Sequence, residues 1–202
     1  MTTSFIYRYL PGEQAETLLL LHGTGGNEND LLEIGRAVLP GASMLSPRGR
    51  VLENGMPRFF RRLSEGVFDV EDVKARAAEL GQFVREMAAE HQFDPARVMP
   101  LGYSNGANIA AAMLLMGAAR FPRAVLIRPM VPLEPESAPD LTGCEVLLAR
   151  GLYDPLATAE QTARLRELLE ADGATVTEHA SRSSHQMVQA DIEAAATWLA
   201  RQ

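Results

Sequence analysis

The segment Gly102-Tyr103-Ser104-Asn105-Gly106 is a Gly-x-Ser-x-Gly run. Set between a strand and a helix, such a run forms a tight turn that thrusts the serine hydroxyl outward. Its glycines leave space for the neighbouring strand and helix. The context fits, because Arg97 to Leu101 reads as a strand and Gly106 opens a helix. The competing reading is an ordinary N-cap serine. A serine hydroxyl is a poor nucleophile until a base takes its proton. Four histidines are available, His22, His91, His179 and His185. His185 follows the last strand in a short loop, which places it at the same sheet edge as Ser104. His91 falls at the end of a long helix, where a histidine meets the helix dipole. His179 lies in or at the end of the last strand and reads as structural. Asp154, in Gly151-Leu152-Tyr153-Asp154-Pro155, follows another strand and can orient an imidazole. Its alternative role is to cap the next helix. The order Ser104, Asp154, His185 is one of the known chain orders of a nucleophile, an orienting acid and a base.

Acyl chemistry also needs donors for a developing oxyanion. His22-Gly23-Thr24-Gly25-Gly26 follows the apolar run Thr17 to Leu21. The backbone N–H groups of Thr24 and Asn105 are the expected pair. His22 itself reads as a structural hydrogen-bonding residue. A phosphate-binding loop is the rival, but Glu28 stands where a third glycine belongs and no Gly-Lys-Ser/Thr follows. The segment Met56 to Phe68 follows a short strand and is expected to line the substrate pocket through Arg58, Phe59 and Phe60. The alternative is that a phenylalanine plugs the core while the arginines are solvated or paired. Cys144 opens a strand at the opposite sheet edge and reads as a small buried side chain. No cluster has metal-ligand spacing, and neither a metal nor a cofactor is expected.

These residues need a scaffold, and the chain alternates strand and helix. Strands are expected at Ser4–Leu10 (an edge), Thr17–Leu21, Ala42–Leu45, Arg97–Leu101, Arg123–Ile127, Glu145–Ala149 and Ala174–His179. Helices are expected at Asp30–Leu39, Asp72–Gln92, Gly106–Arg120, Ala157–Ala171 and Gln186–Ala200. Residues 48–69 read as a long loop and 128–143 as a Pro-rich connection. Such alternation implies an α/β fold, a mostly parallel sheet with helices on both faces. Ligands of these sheets bind beyond the carboxyl ends of the strands, where the residues named above fall.

The 202 residues suit one domain, residues 1–202, and the composition is 47% hydrophobic and 22% charged, ordinary for a globular chain. No apolar run approaches the ~20 residues of a membrane helix, and no stable membrane insertion is expected. The amino terminus lacks the pattern of a secretory signal. One cysteine excludes an internal disulfide and suits the cytoplasm. A net charge of −7 argues against a nucleic-acid partner. The oligomeric state stays open, a homodimer included.

The chain resembles the small α/β-hydrolases of the phospholipase/carboxylesterase group, relatives of acyl-protein thioesterases and of dienelactone hydrolase. The matching pieces are LHGTGGNENDLL at 21–32, NGMPRFFRRLSEGVFD at 54–69, DPARVMPLGYSNGANIAA at 94–111, RPMVP at 128–132, GLYDP at 151–155 and SSHQM at 183–187. The resemblance implies a nearly lidless α/β-hydrolase fold. It further implies a serine hydrolase of small carboxylic esters or thioesters, working through an acyl-enzyme with Ser104, Asp154 and His185. Three departures stand out. Ser184 precedes the histidine where the family has glycine. Asn105 follows the nucleophile where acyl-protein thioesterases carry glutamine. Ser104 stands where dienelactone hydrolase has cysteine. Two other classes use the same framework: an acyltransferase or perhydrolase with this triad, and a non-catalytic ligand-binding module.

Overall fold

Every residue of Thr17–Leu21 (β2) is buried, which a strand tolerates only when both faces of its sheet are covered. The computed structural model describes residues 5–201, so Ser4 of the expected first strand lies outside the described residues. In chain order the elements are β1 (Tyr7–Leu10), β2, α1 (Leu32–Val38), β3 (Ser43–Pro47), β4 (Val51–Glu53), β5 (Met56–Arg58), β6 (Arg62–Ser64) and β7 (Val67–Phe68). After these come α2 (Val70–His91), β8 (Val98–Tyr103), α3 (Asn105–Leu115), β9 (Arg123–Ile127), β10 (Glu145–Gly151), α4 (Ala159–Ala171), β11 (Thr175–Ser181) and α5 (Gln189–Leu199). Seven strands form one sheet in the order β1-β3-β2-β8-β9-β10-β11. Only β1 runs antiparallel to its neighbour. This is the α/β-hydrolase architecture.

Side-chain alternation divides the core. Leu19 and Leu21 of β2 join Val73, Ala77 and Leu80 of α2, the apolar α3, and Leu165 and Leu169 of α4. Leu18 and Leu20 face the other way, toward Val38 of α1 and Ala195, Trp198 and Leu199 of α5. A strand with leucine at successive positions can feed both layers because its side chains alternate. Among the described residues no helix is long and apolar enough to cross a membrane.

Two differences from the sequence expectation have physical causes. Helix α3 stops at Leu115 rather than Arg120 because Gly117 takes a left-handed conformation (φ 61°). The Gly117 N–H bonds back to Leu114 O and the Ala118 N–H to Met113 O, which closes the helix end. Residues 48–69 are not one irregular loop but two small hairpins. Strands β4 and β5 pair antiparallel across Asn54-Gly55, both at positive φ (51° and 81°), as a two-residue primed turn requires. Strands β6 and β7 pair across Glu65-Gly66.

Between the hairpins, Phe59 and Phe60 are buried among Val73, Ala77 and other residues of the α2–α3 core. The expectation that their rings line a pocket is therefore corrected: both are core side chains. Phe60 meets Phe68 edge-on at 5.1 Å between centroids. Phe60→Ala is expected to cost about 3–5 kcal/mol of stability, as for other buried phenylalanines. Leu63→Ala, on the exposed second hairpin, should stay within about 0.5 kcal/mol of the parent. Urea denaturation of the two variants checks the contrast.

Candidate active site

The turn from β8 into α3 carries Ser104 at φ 51°, ψ −113°, a backbone state costly for any residue but glycine. Its surroundings hold it there. The Ser104 N–H donates to Ile127 O at 2.9 Å, and Ser104 O accepts from the Asn108 N–H at 2.9 Å. The two glycines of the run are required by close backbone approach. A Cβ on Gly106 would sit 1.9 Å from Leu21 O, and one on Gly102 would sit 2.5 Å from Gly106 O.

Ser104 Oγ lies 2.8 Å from His185 Nε2, and His185 Nδ1 lies 2.8 Å from Asp154 Oδ2. A carboxylate only accepts, so Nδ1 carries the proton and Nε2 is left to accept from the serine hydroxyl. Asp154 is fully buried in its side chain, and its other oxygen accepts from the N–H groups of Leu156 (2.8 Å) and Ala157 (3.0 Å). One carboxylate oxygen thus holds the turn that leads toward α4, and the other contacts the histidine. The helix cap proper falls to Thr158, whose hydroxyl accepts from Gln161 N–H.

The glycine-rich loop after β2 reaches the same place. His22 is buried, donates through Nδ1 to Gly23 O (2.7 Å) and accepts at Nε2 from Gly49 N–H (2.9 Å). Burial pushes its pKa below the usual histidine value. The Gly25 N–H donates to Pro57 O (2.9 Å), and Thr24 Oγ1 accepts from Arg58 Nη1 (2.7 Å). Glu28 forms a two-bond ion pair with Arg48. Asn105 Oδ1 accepts from the Phe59 N–H at 2.7 Å, and the Phe59 ring packs on His22 at 4.8 Å between centroids, so Phe59 supports the site from beneath rather than by lining the cavity.

A cavity of about 230 Å³ opens over Ser104 and His185, walled by Thr24, Arg58, Arg62, Glu65, Phe68, Asn105, Met130 and Leu156 among others. Of the expected residues, the geometry gathers Ser104, His185, Thr24, Asn105 and Arg58 at this cavity, with Asp154 behind His185. Phe68, Met130 and Leu156 supply the apolar wall expected from Phe59 and Phe60. The other histidines lie apart. His91 stacks on Tyr9 at 4.0 Å between centroids. His179 is on β11, 3.7 Å from Asp191. Cys144 is buried away from the cavity, its thiol pKa pushed up to about 11 by desolvation.

Sequence reasoning assigned no role to Arg128, although it begins the RPMVP segment. It follows β9 at φ 56° and is completely buried. Its guanidinium forms a buried pair with Asp191 (2.7 Å) and donates to Ser181 Oγ, Ser183 Oγ, Ser184 O and Gln186 O. These last three acceptors flank His185 on both sides. Tyr103 OH adds a bond to His185 O at 3.1 Å. The only signal in the sequence is a charged residue placed directly after a buried apolar strand.

Arg128→Met leaves Asp191 buried without its partner and is expected to cost about 3–5 kcal/mol in urea denaturation. Adding Asp191→Leu should recover much of the stability. It should not restore activity, since the His185 loop loses its guanidinium tether and keeps only the Tyr103 bond. A second expectation concerns His22. Unfolded histidine takes up a proton below about pH 6.5, whereas folded His22, with its lowered pKa, resists it. Its contribution is present above that pH and is lost as pH falls. The urea midpoint should decline from pH 7 to 5, and less steeply in His22→Asn.

Comparison with known proteins identifies the family. The phospholipase/carboxylesterase family profile matches residues 11–202. MhqD of Bacillus subtilis (strain 168) is 48% identical over 190 residues, covering 94% of this chain and 95% of that protein. The crystal structure of a Bacillus cereus carboxylesterase superimposes with a TM-score of 0.92 at 46% identity, covering 95% of this chain and 91% of that one. A Mesorhizobium loti carboxylesterase gives 0.90 at 33% identity, covering 97% and 94%. The chain belongs to the phospholipase/carboxylesterase family of α/β-hydrolases.

Proposed function

We propose that the protein hydrolyses small carboxylic esters, and thioesters by the same route, through an acyl-enzyme on Ser104. The observation that carries this reading is the unbroken chain Ser104 Oγ, His185, Asp154, with both links at 2.8 Å. His185 Nε2 takes the serine proton as Oγ attacks the carbonyl carbon. The oxyanion is held by the Thr24 and Asn105 N–H groups. The C–O bond to the alcohol breaks as the imidazolium returns its proton to the leaving oxygen. Water then enters, gives a proton to His185 and attacks the acyl carbon. Ser104 Oγ leaves with that proton and the free acid departs. Asp154 holds the imidazole in the required tautomer and offsets its positive charge. Arg58 is assigned to the substrate-binding wall. The residues act within one domain, and the single buried cysteine suits a cytoplasmic location.

The strained backbone of Ser104 supports catalysis over a silent binding role, because strain of about 1–3 kcal/mol persists where function requires it. Acyl transfer to an alcohol or peroxide would share every step but the last, and a product assay with a competing alcohol separates it from hydrolysis.

A fluorophosphonate probe is expected to label the parent and not Ser104→Ala; label retained in that variant overturns the assignment. His185→Ala should lower kcat on a small ester by several orders of magnitude, and Asp154→Asn by about 10⁴. His91→Ala and His179→Ala should change it little. Loss of activity in His179→Ala with His185→Ala unaffected would refute the choice of base.

A further inference from the structure

Arg58 and Arg62 both wall the cavity over Ser104, and the protein gives them too few acceptors. The side chain of Arg58 is 4% exposed. Its Nε–H faces Phe60 O at 3.3 Å, and one Nη1 hydrogen goes to Thr24 Oγ1. Among the described residues its Nη2 has no acceptor. Arg62, among the described residues, donates only through Nε, to Glu53 (2.9 and 3.1 Å), which leaves both of its terminal nitrogens without one. Glu53 is also, among the described residues, the sole ion-pair partner of Arg58, at 3.3 Å. One carboxylate thus serves two guanidinium groups, and their mutual repulsion adds to burial in disfavouring the charge on Arg58. Glu65 is the other charge on this wall, and its exposed side chain is paired with neither arginine. A third unmatched donor, the buried Nδ2 of Asn105, belongs to the same wall.

Arginine cannot shed its proton in this range, and a buried, under-paired guanidinium is costly. Its planar fork matches a carboxylate. The cavity, at about 230 Å³, holds only a small molecule.

We infer that the substrate is a small ester bearing a carboxylate, which docks on Arg58 and Arg62 while the ester carbonyl meets Ser104. The inference rests on the acyl-enzyme reading for the reaction but not for the binding, and the two are tested apart. The probes are two anionic esters with uncharged isosteres. Monomethyl succinate against methyl 4-oxopentanoate puts the charge on the acyl side. Acetoxyacetate against acetoxyacetone puts it on the alcohol side.

Binding is measured by calorimetry on Ser104→Ala, which cannot turn over. At least one anionic ester should bind about tenfold or more tighter than its isostere, the gain of a charged hydrogen-bonded contact. The preference should shrink with added salt. It should collapse toward unity when Arg62→Gln is added. Arg62 is only partly buried, so this variant should fold. Arg58→Lys is the second variant; it keeps the charge, loses the fork and should reduce the preference partially. Equal binding of charged and neutral esters, or heat from neither, overturns the inference. So does a preference unaltered in Arg62→Gln. On the active enzyme the same ratio should reappear in kcat/KM. Tight binding of the anionic ester with no hydrolysis and no labelling of Ser104 would instead overturn the acyl-enzyme reading and leave the anion site standing.

Discussion

The site depends on one backbone contact: the first turn of α3 rests directly on the end of β2. At Gly106 no side chain fits between them, since a Cβ there would lie 1.9 Å from Leu21 O and 2.7 Å from His22 O. This approach has two consequences. The turn into α3 must be sharp, which forces Ser104 to positive φ and exposes its hydroxyl. The residues just after Leu21 are also brought alongside the start of α3, so Thr24 and Asn105 come to wall one cavity. The parallel pairing of β2 with β8, Leu21 opposite Gly102, sets the register that makes this possible. Ser104 and the glycine-rich loop, the proposed nucleophile and oxyanion donors, are therefore positioned by the sheet itself.

The proposed base is held differently. His185 sits in a segment without regular structure between β11 and α5, and such segments are ordinarily mobile. Reaction geometry tolerates little misplacement, because an error near 1 Å can cost ~10²-fold in rate. Arg128 answers this by bonding to groups on both sides of His185 while its charge is met by Asp191 at the start of α5. Burying two charges to hold one loop is a poor way to gain stability, since a hydrophobic pair often does as well. It does fix orientation, because a guanidinium presents five donors in a plane. Ser184 follows from the same arrangement. Its carbonyl accepts from Arg128 and lies 2.2 Å from where a Cβ on Gly151 would be. The need for glycine thus falls on position 151 of the neighbouring strand.

Much of this was legible in the sequence because strong local signals coincided with the fold. The alternation of elements, the buried TLLLL strand, and the Gly-x-Ser-x-Gly run each constrain the backbone by themselves. The edge loops of Asp154 and His185 followed from placing strands. The hairpins of residues 51–68 were missed although Asn54-Gly55 is a strong turn signal. Their strands are three residues or fewer, too short for an alternating pattern to register. The placement of Phe59 and Phe60 is where the two sequence readings divide, a pocket wall or a phenylalanine plugging the core, and the core reading holds. Once the segment folds into hairpins, the link between them dips beneath, and the rings pass into the core. Arg128 was invisible because its acceptors are Ala149 O, Asp191, serines and backbone oxygens of residues 181–186, all far along the chain, and no local pattern encodes such partners.

Two histidines near the same sheet edge show how environment rather than residue type decides chemistry. His22 spends both nitrogens on the backbone, one donating to Gly23 O and one accepting from Gly49 N–H. Protonation would remove its acceptor, oppose the Gly49 N–H and bury a charge, so burial disfavours the charged form, and its two bonds brace the glycine-rich loop. His185 is half-open to the cavity and has a carboxylate on one nitrogen and a hydroxyl on the other. In the proposed mechanism, taking the serine proton would convert a neutral acceptor into a cation already facing Asp154, so the new charge would arise where an opposite charge waits. Neither residue could exchange roles with the other without rebuilding its partners. The division of work between brace and base is therefore written in the hydrogen bonds of the surrounding backbone, and it explains why only one of the histidines at this edge can serve Ser104.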